Sequence, residues 1–303
     1  MRLVQAIADR VRYRMTSEDG PRWDNVLEIG CGTKTRGGQF MAGRPPCVKI
    51  LVRKKMHDYV HALPTEIRVR HDRKTYRVLT DVEEFDAARF RLQSAVDVAA
   101  EVQAVEVGSL GFVMQDGGAA RYVVTAAHVM QAGVATWRKD GRTGSGQVLD
   151  ELRYQPGPNG DGVIDAAPAR VAAPGPIAPP PSIPFGDSVA TWAGVLQVGK
   201  VFVCGKHGVV PGTVAFRVPT LEASQTLERV LMCRLDDGMH TADGDSGAPI
   251  LAQNGGRLVG IHIGIYPDLS LSPPPYHSVG HVAGDLLDHF SALMQDNLRL
   301  WKP

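Results

Sequence analysis

The segment Gly244-Asp245-Ser246-Gly247-Ala248-Pro249 sets a serine between two glycines. A serine hydroxyl is a weak nucleophile until a neighbouring base takes its proton, and the oxyanion it creates needs N–H donors already in place. Glycine before and after Asp245-Ser246 lets the backbone turn tightly and aims the amides of Gly244 and Ser246 at one point. The base should be a histidine, and Thr125-Ala126-Ala127-His128 follows the apolar run Tyr122 to Val124. An acid must then hold the imidazole in the right tautomer. Asp165, in Val163-Ile164-Asp165-Ala166-Ala167, ends another short apolar run, with Asp161 and Asp187 on either side as alternatives.

In this order, His, Asp, Ser, the three segments resemble the trypsin/chymotrypsin-like serine proteases over about residues 106–295. The resemblance implies a double β-barrel that hydrolyses peptide bonds of protein substrates through an acyl-enzyme. Ser246 would be the nucleophile, His128 the base and then the acid, Asp165 the orienting group, and the amides of Gly244 and Ser246 the oxyanion hole. Leu258 to Gly264 matches the strand on which that family pairs substrate backbone. The pocket for the residue before the scissile bond would be lined by His240 and Thr241, six and five before the nucleophile, and by His262, Ile263 and Gly264. His240 stands where trypsin-type enzymes carry aspartate, which disfavours cleavage after Arg or Lys. Thr241 with His262 is similar to the pair that picornavirus-type proteases and glutamyl endopeptidases use for Gln or Glu. Two donors in a partly dry pocket suit a side-chain carbonyl or carboxylate. The alternative is that His262 is a packed core residue and His240 belongs to a loop.

A second resemblance extends over the whole chain. Gly30 to Phe40, Cys47 to Lys55, Pro64, Asp81-Val82, Gly205-Lys206-His207-Gly208 and Gly212-Thr213-Val214 look like the plant narrow-leaf trypsin-like proteases and their bacterial relatives. It implies an intracellular protease with a fused non-catalytic N-terminal domain, regulatory or interacting with a protein partner.

The elements that must position these residues fall into two parts. Residues 1–105 carry 19 Lys+Arg and 14 Asp+Glu, and residues 106–303 carry 14 and 18. The first part opens with Leu3, Ile7, Val11 and Met15 at helical spacing, stopped by Gly20-Pro21, and continues with strand-like stretches at 47–53, 66–70 and 75–80. Its basic residues Arg53, Lys54, Lys55, Arg68, Arg70, Arg73, Lys74 and Arg77 read as a solvated sheet face. A polyanion-binding face would show interleaved aromatics, which are lacking. The second part reads as short strands at 109–115, 121–127, 133–138, 146–149, 162–166, 199–204, 211–217, 229–235, 248–252 and 257–263. Nine prolines over 156–184 predict loop there. Val282, Leu286, Phe290 and Leu293 mark a C-terminal helix. The expected architecture is mostly β: a chymotrypsin-like double β-barrel over 106–303, a small α+β N-terminal domain over 1–105, and the C-terminal helix.

Composition narrows the rest. Hydrophobic residues make 44% of the 303, charged residues 21%, and the net charge is +1. These are values of an ordinary globular protein with no global pull towards nucleic acid or anionic lipid. Residues 1–15 are too charged for a signal-peptide core, and no 18-residue apolar run suggests a membrane span. Cys31, Cys47, Cys204 and Cys233 show no metal or disulfide spacing, so free thiols in a reducing cytoplasm are expected. His277, His281 and His289 lack partners at metal-ligand spacing. No metal or other cofactor is called for. Residues 26–32, Val-Leu-Glu-Ile-Gly-Cys-Gly, resemble the first motif of S-adenosylmethionine-dependent methyltransferases. The following stretch cannot form the helix that motif needs, and the next strand ends in Arg53-Lys54-Lys55 where the motif wants an acid. A protease-fold binding module without catalysis would have lost a member of the triad, and none is lost. Finally, Glu101, Gln103 and Glu106 lie in a linker where self-cleavage fits the expected specificity. Little chain separates this linker from the first barrel strand, so Asp245 is expected to be satisfied by internal groups in the uncut chain.

Overall fold

The computed structural model describes residues 2–16, 25–36, 39–43, 45–55, 63–71, 73–92, 95–97, 105–130, 133–139, 142–171, 188–222, 225–267 and 275–301. The N-terminal part holds α1 (Arg2–Thr16) and strands β1 (Val26–Thr33), β2 (Thr35–Arg36), β3 (Gln39–Phe40), β4 (Pro46–Val52), β5 (Glu66–His71), β6 (Lys74–Glu84), β7 (Arg91–Leu92), β8 (Ala95–Asp97) and β9 (Val105–Val107). Next come β10 (Phe112–Gln115), β11 (Arg121–Thr125), β12 (Val134–Lys139), β13 (Arg142–Val148) and β14 (Ala167–Val171). The remainder is β15 (Lys200–Gly205), β16 (Gly208–Glu222), β17 (Thr226–Leu235), β18 (Pro249–Ala252), β19 (Leu258–Pro267), β20 (Tyr276–Val282), α2 (Ala283–Met294) and β21 (Arg299–Leu300).

Two β units carry the candidate site. One is a six-stranded sheet in the order β12-β13-β14-β11-β10-β21. In the other, β15-β18-β19-β20-β17-β16 closes on itself because β15 also pairs with β16. Val201, Val203, Val214, Leu231, Ile250 and Val259 fill its interior. The outer half of β16 takes β1, with Cys31 opposite Arg217 and Gly32 opposite Phe216. From there β4, β6 and β5 extend the same sheet. Helix α1 lays Val4, Ile7 and Ala8 on Ile29, Val48 and Ile50 of these strands, which is the face its apolar spacing predicts.

A buried ion cluster of β4 and β6 lies against the join. Lys49 is fully buried, with its ammonium 2.7 Å from both Asp81 and Glu83 and 5.0 Å above the Phe216 ring. Burial alone would lower its pKa; Glu83 and Asp81 outweigh burial and hold it above the ordinary lysine range.

Several expectations need correction. No strand forms over 162–166; the strand is β14, starting at Ala167. The glycines at 160 and 162 turn the chain, and Asp165 precedes the ladder instead of ending it. Pro168 is accommodated because pairing with β13 begins one residue later, at Ala169. The strand β20 went unforeseen, and its polar His277, Ser278 and His281 explain why: all three are buried but read as surface. The glycines of Val26–Thr33 sit inside a continuous strand, so no phosphate-cradling turn forms there. Leu293 is 38% exposed, at the end of a helix whose buried face is Leu286, Leu287 and Phe290. The loop expected over 156–184 is interrupted by β14, and its residues 172–184 lie outside the described residues, as does Asp187. Glu101 and Gln103 also lie outside them.

Candidate active site

Ser246 sits in the loop between β17 and β18. Gly244 and Gly247 have φ of +97° and +90°, the left-handed region that favours glycine. A Cβ on Gly247 would collide with Thr125 and the Ser109 carbonyl, so this glycine also permits close packing against the strand that leads to His128. Ser246 Oγ lies 2.8 Å from His128 Nε2 and 2.8 Å from the Ile263 carbonyl oxygen. His128 follows β11, and its Nδ1 lies 2.7 Å from the Asp165 carboxylate, which also accepts the His128 backbone N–H at 3.1 Å. Asp165 is fully buried. With Nδ1–H directed at Asp165, Nε2 is left to accept the serine proton. The alternative acid Asp161 is about half exposed and faces Arg12 at 3.4 Å.

Three residues that the sequence reading left without a role support this arrangement. Ser109 donates its N–H to the Ser246 carbonyl at 2.6 Å and its hydroxyl to the Gly244 carbonyl at 2.9 Å. Its own carbonyl accepts the Thr125 hydroxyl at 2.7 Å. His207, in the turn between β15 and β16, gives both its N–H and Nδ1 to the Asp245 carboxylate, each at 3.1 Å. Ala242 N–H supplies a third donor at 2.8 Å. His281 on β20 accepts the Asp165 N–H on Nε2 at 3.0 Å, a bond that ties the acid to the other β unit. Burial keeps this imidazole below the usual histidine range, so it is neutral and able to accept. The only sequence signal for His281 was its place among three C-terminal histidines.

The five expected pocket residues are not gathered on one open surface. His240 is exposed and packs against Tyr276, ring centroids 5.7 Å apart. Thr241 and His262 are buried, and His262 Nδ1 is 2.8 Å from Ser278 Oγ. Ile263 and Gly264 continue along β19.

Burial pushes the His262 imidazole down to about 3. An unfolded histidine titrates near 6.5, so between about pH 6.5 and 3 the unfolded chain binds a proton that the folded chain refuses. Stability should therefore fall as pH falls through that window, by up to about 1.4 kcal/mol per pH unit for this group. Urea unfolding between pH 6 and 4 should show that slope, and His262→Gln should flatten it. Parallel slopes in the two proteins would exclude burial of His262 as the cause.

Residues 108–261, half of the chain, match the model of the trypsin-like peptidase domain. The chain belongs to the trypsin-like peptidases. Among solved structures the peptidase is similar to Thermobifida fusca protease A, at 20% identity over 65% of this chain and 92% of that one, with a TM-score of 0.44. It is similar also to a Nocardiopsis protease, at 19% identity over 64% and 92%, with a TM-score of 0.43. No curated protein sequence matches the peptidase. Among its described residues no cluster of three or more His, Cys, Asp or Glu is arranged to hold a metal, and no helix is long and apolar enough to cross a membrane. Its four cysteines are free and buried.

Proposed function

We propose that this peptidase is a serine endopeptidase with Ser246 as nucleophile. The observation that carries the reading is the chain of contacts from Ser246 Oγ through His128 to the buried Asp165, at 2.8 and 2.7 Å. Ser246 Oγ attacks the substrate carbonyl while its proton passes to His128 Nε2. The charge that develops on the imidazole is held by Asp165, and the charge on the substrate oxygen by the N–H groups of Gly244 and Ser246. His128 then gives its proton to the leaving amine. Water, deprotonated by His128 in turn, releases the acyl group. Labelling by a fluorophosphonate tests the reading: the parent should label and Ser246→Ala should not. A parent that stays unlabelled when folded would instead favour a silent binding module.

The proposed specificity is for Gln or Glu before the scissile bond. Thr241 and His262 support it as buried groups that hydrogen-bond but bring no positive charge. Hydrogen-bond donors there can meet a side-chain carbonyl or a carboxylate, which only accept, whereas Lys or Arg would set donors against donors. A peptide-library profile should favour Gln and Glu over Lys and Arg, and His262→Ala should weaken that preference by roughly 1–3 kcal/mol. A profile led by Arg, Lys or large aromatics would remove this assignment. A reducing, cytoplasmic setting is part of the same reading, supported by four buried free thiols. Residues 1–105 are proposed to act on the peptidase part.

A further inference from the structure

We propose that Phe90-Arg91-Leu92 is a built-in inhibitory strand, lying on the β19 edge where a polypeptide substrate has to pair. The inference rests on Ser246 being the nucleophile. On one side β19 is paired with β20 along its length. On the other side β18 pairs only as far as Ile261, and the peptide groups of His262 are taken by Ala248 and Gly247 at 2.8 and 2.7 Å. From Ile263 onwards no strand of the barrel covers that second edge among the described residues, and the Ile263 carbonyl is the one beside Ser246 Oγ. An extended peptide whose carbonyl meets Ser246 would gain main-chain hydrogen bonds along these residues, as strands add to open sheet edges.

The edge is already taken. Strand β7 pairs antiparallel with β19, Leu92 opposite Gly264 and Arg91 opposite Ile265. The Phe90 ring and the Arg91 carbonyl lie so close over Gly264 that a Cβ there would come within 2.9 and 2.5 Å of them, and Gly264 is buried as a result. The segment is anchored upstream by Tyr266 of β19. That ring stacks on Phe85 with centroids 4.5 Å apart, and its hydroxyl accepts the Asp86 N–H at 3.1 Å and donates to the Glu84 carbonyl at 3.2 Å. Downstream, Arg91 reaches Asp243 at 3.8 Å, the residue before Gly244. The chain thus runs from a fixed anchor along the edge towards the nucleophile loop. The next residue in the sequence, Gln93, is of the class proposed for cleavage. Because the segment is tethered, its effective concentration is on the order of millimolar, enough to compete with substrates in solution.

The test uses the full chain and two variants, Phe90→Ala and Arg91→Glu; Arg91 is exposed, so the second should fold even if the first does not. Each variant should raise kcat/KM for an internally quenched peptide by about tenfold. The rate of Ser246 labelling by a small fluorophosphonate, which needs no strand pairing, should change less than about twofold. A synthetic peptide of residues 84–96 should compete with the quenched peptide in the Arg91→Glu variant. Unchanged peptide kinetics in folded variants, or no competition by the synthetic peptide, would overturn the inhibitory strand while labelling kept the nucleophile in place. Absence of labelling in all three proteins would remove the nucleophile assignment and this proposal with it.

Discussion

Ser246→Ala and His128→Ala should each lower peptide turnover by several orders of magnitude in protein that still unfolds cooperatively. Both side chains lie at turns between strands and are buried against each other, so their removal takes away the proton relay and costs some stability. The loss should not add up: with one member gone, the others have no proton to move. Asp165→Asn is expected to be comparably severe, at roughly 10³–10⁴-fold. An amide in that position can donate to Nδ1, which forces the proton onto Nε2, the nitrogen that must accept from Ser246. Asp161→Asn serves as the control, since its carboxylate faces Arg12 and solvent. Peptide hydrolysis by purified variants, with urea unfolding alongside, decides the matter. Near-parent turnover by the Ser246 or His128 variant would falsify the assignment, and a crippling effect of Asp161→Asn would show that the wrong acid was chosen.

The second large effect is expected at Asp245. Its carboxylate is almost fully buried and accepts from His207 N–H, His207 Nδ1 and Ala242 N–H. These bonds fix the peptide on either side of it, including the one that presents Gly244. Asp245→Asn keeps the shape but turns one acceptor oxygen into a donor facing other donors. We expect a loss of about 100-fold in kcat/KM, equivalent to roughly 3 kcal/mol, with His207→Ala milder because its ring is half exposed. The same geometry predicts that the uncut chain already has a formed nucleophile loop and labels without any cleavage near Glu101, Gln103 or Glu106. If labelling appeared only after a cut in that linker, the three internal donors would be insufficient and processing would be the switch.

Legibility from sequence followed locality. The glycines around Ser246, the histidine after an apolar strand and the amphipathic terminal helices all carry their reason within a few residues. Asp165 could be named but not the strand that follows it, because Gly160, Gly162 and Pro168 break the alternation that marks one. His281 and Ser278 were invisible as core residues: a buried polar side chain is legible only once its partner is known, and Asp165 and His262 are distant in sequence. The least legible features were the two long-range edge pairings, β1 with β16 and β7 with β19. Main-chain hydrogen bonds at a sheet edge use no particular side chain, and a two-residue strand has no periodicity to detect.

The addition of β1, β4, β6 and β5 to β16 also changes which edge the molecule shows to its own copies in a crowded solution. In the closed barrel alone, the outer half of β16 would offer an apolar row through Ala215, Phe216 and Val218 to any passing strand. In the full chain the last strand is β5, Glu-Ile-Arg-Val-Arg-His, with Arg68 and Arg70 exposed. Arg68 is 64% exposed, 3.1 Å from Glu66, and with exposed Arg70 leaves the strand basic, so a second β5 brought alongside would meet like charge. Two members of the basic cluster that reads as a solvated sheet face, Arg68 and Arg70, thus lie on the last strand, where like charge opposes pairing with another copy.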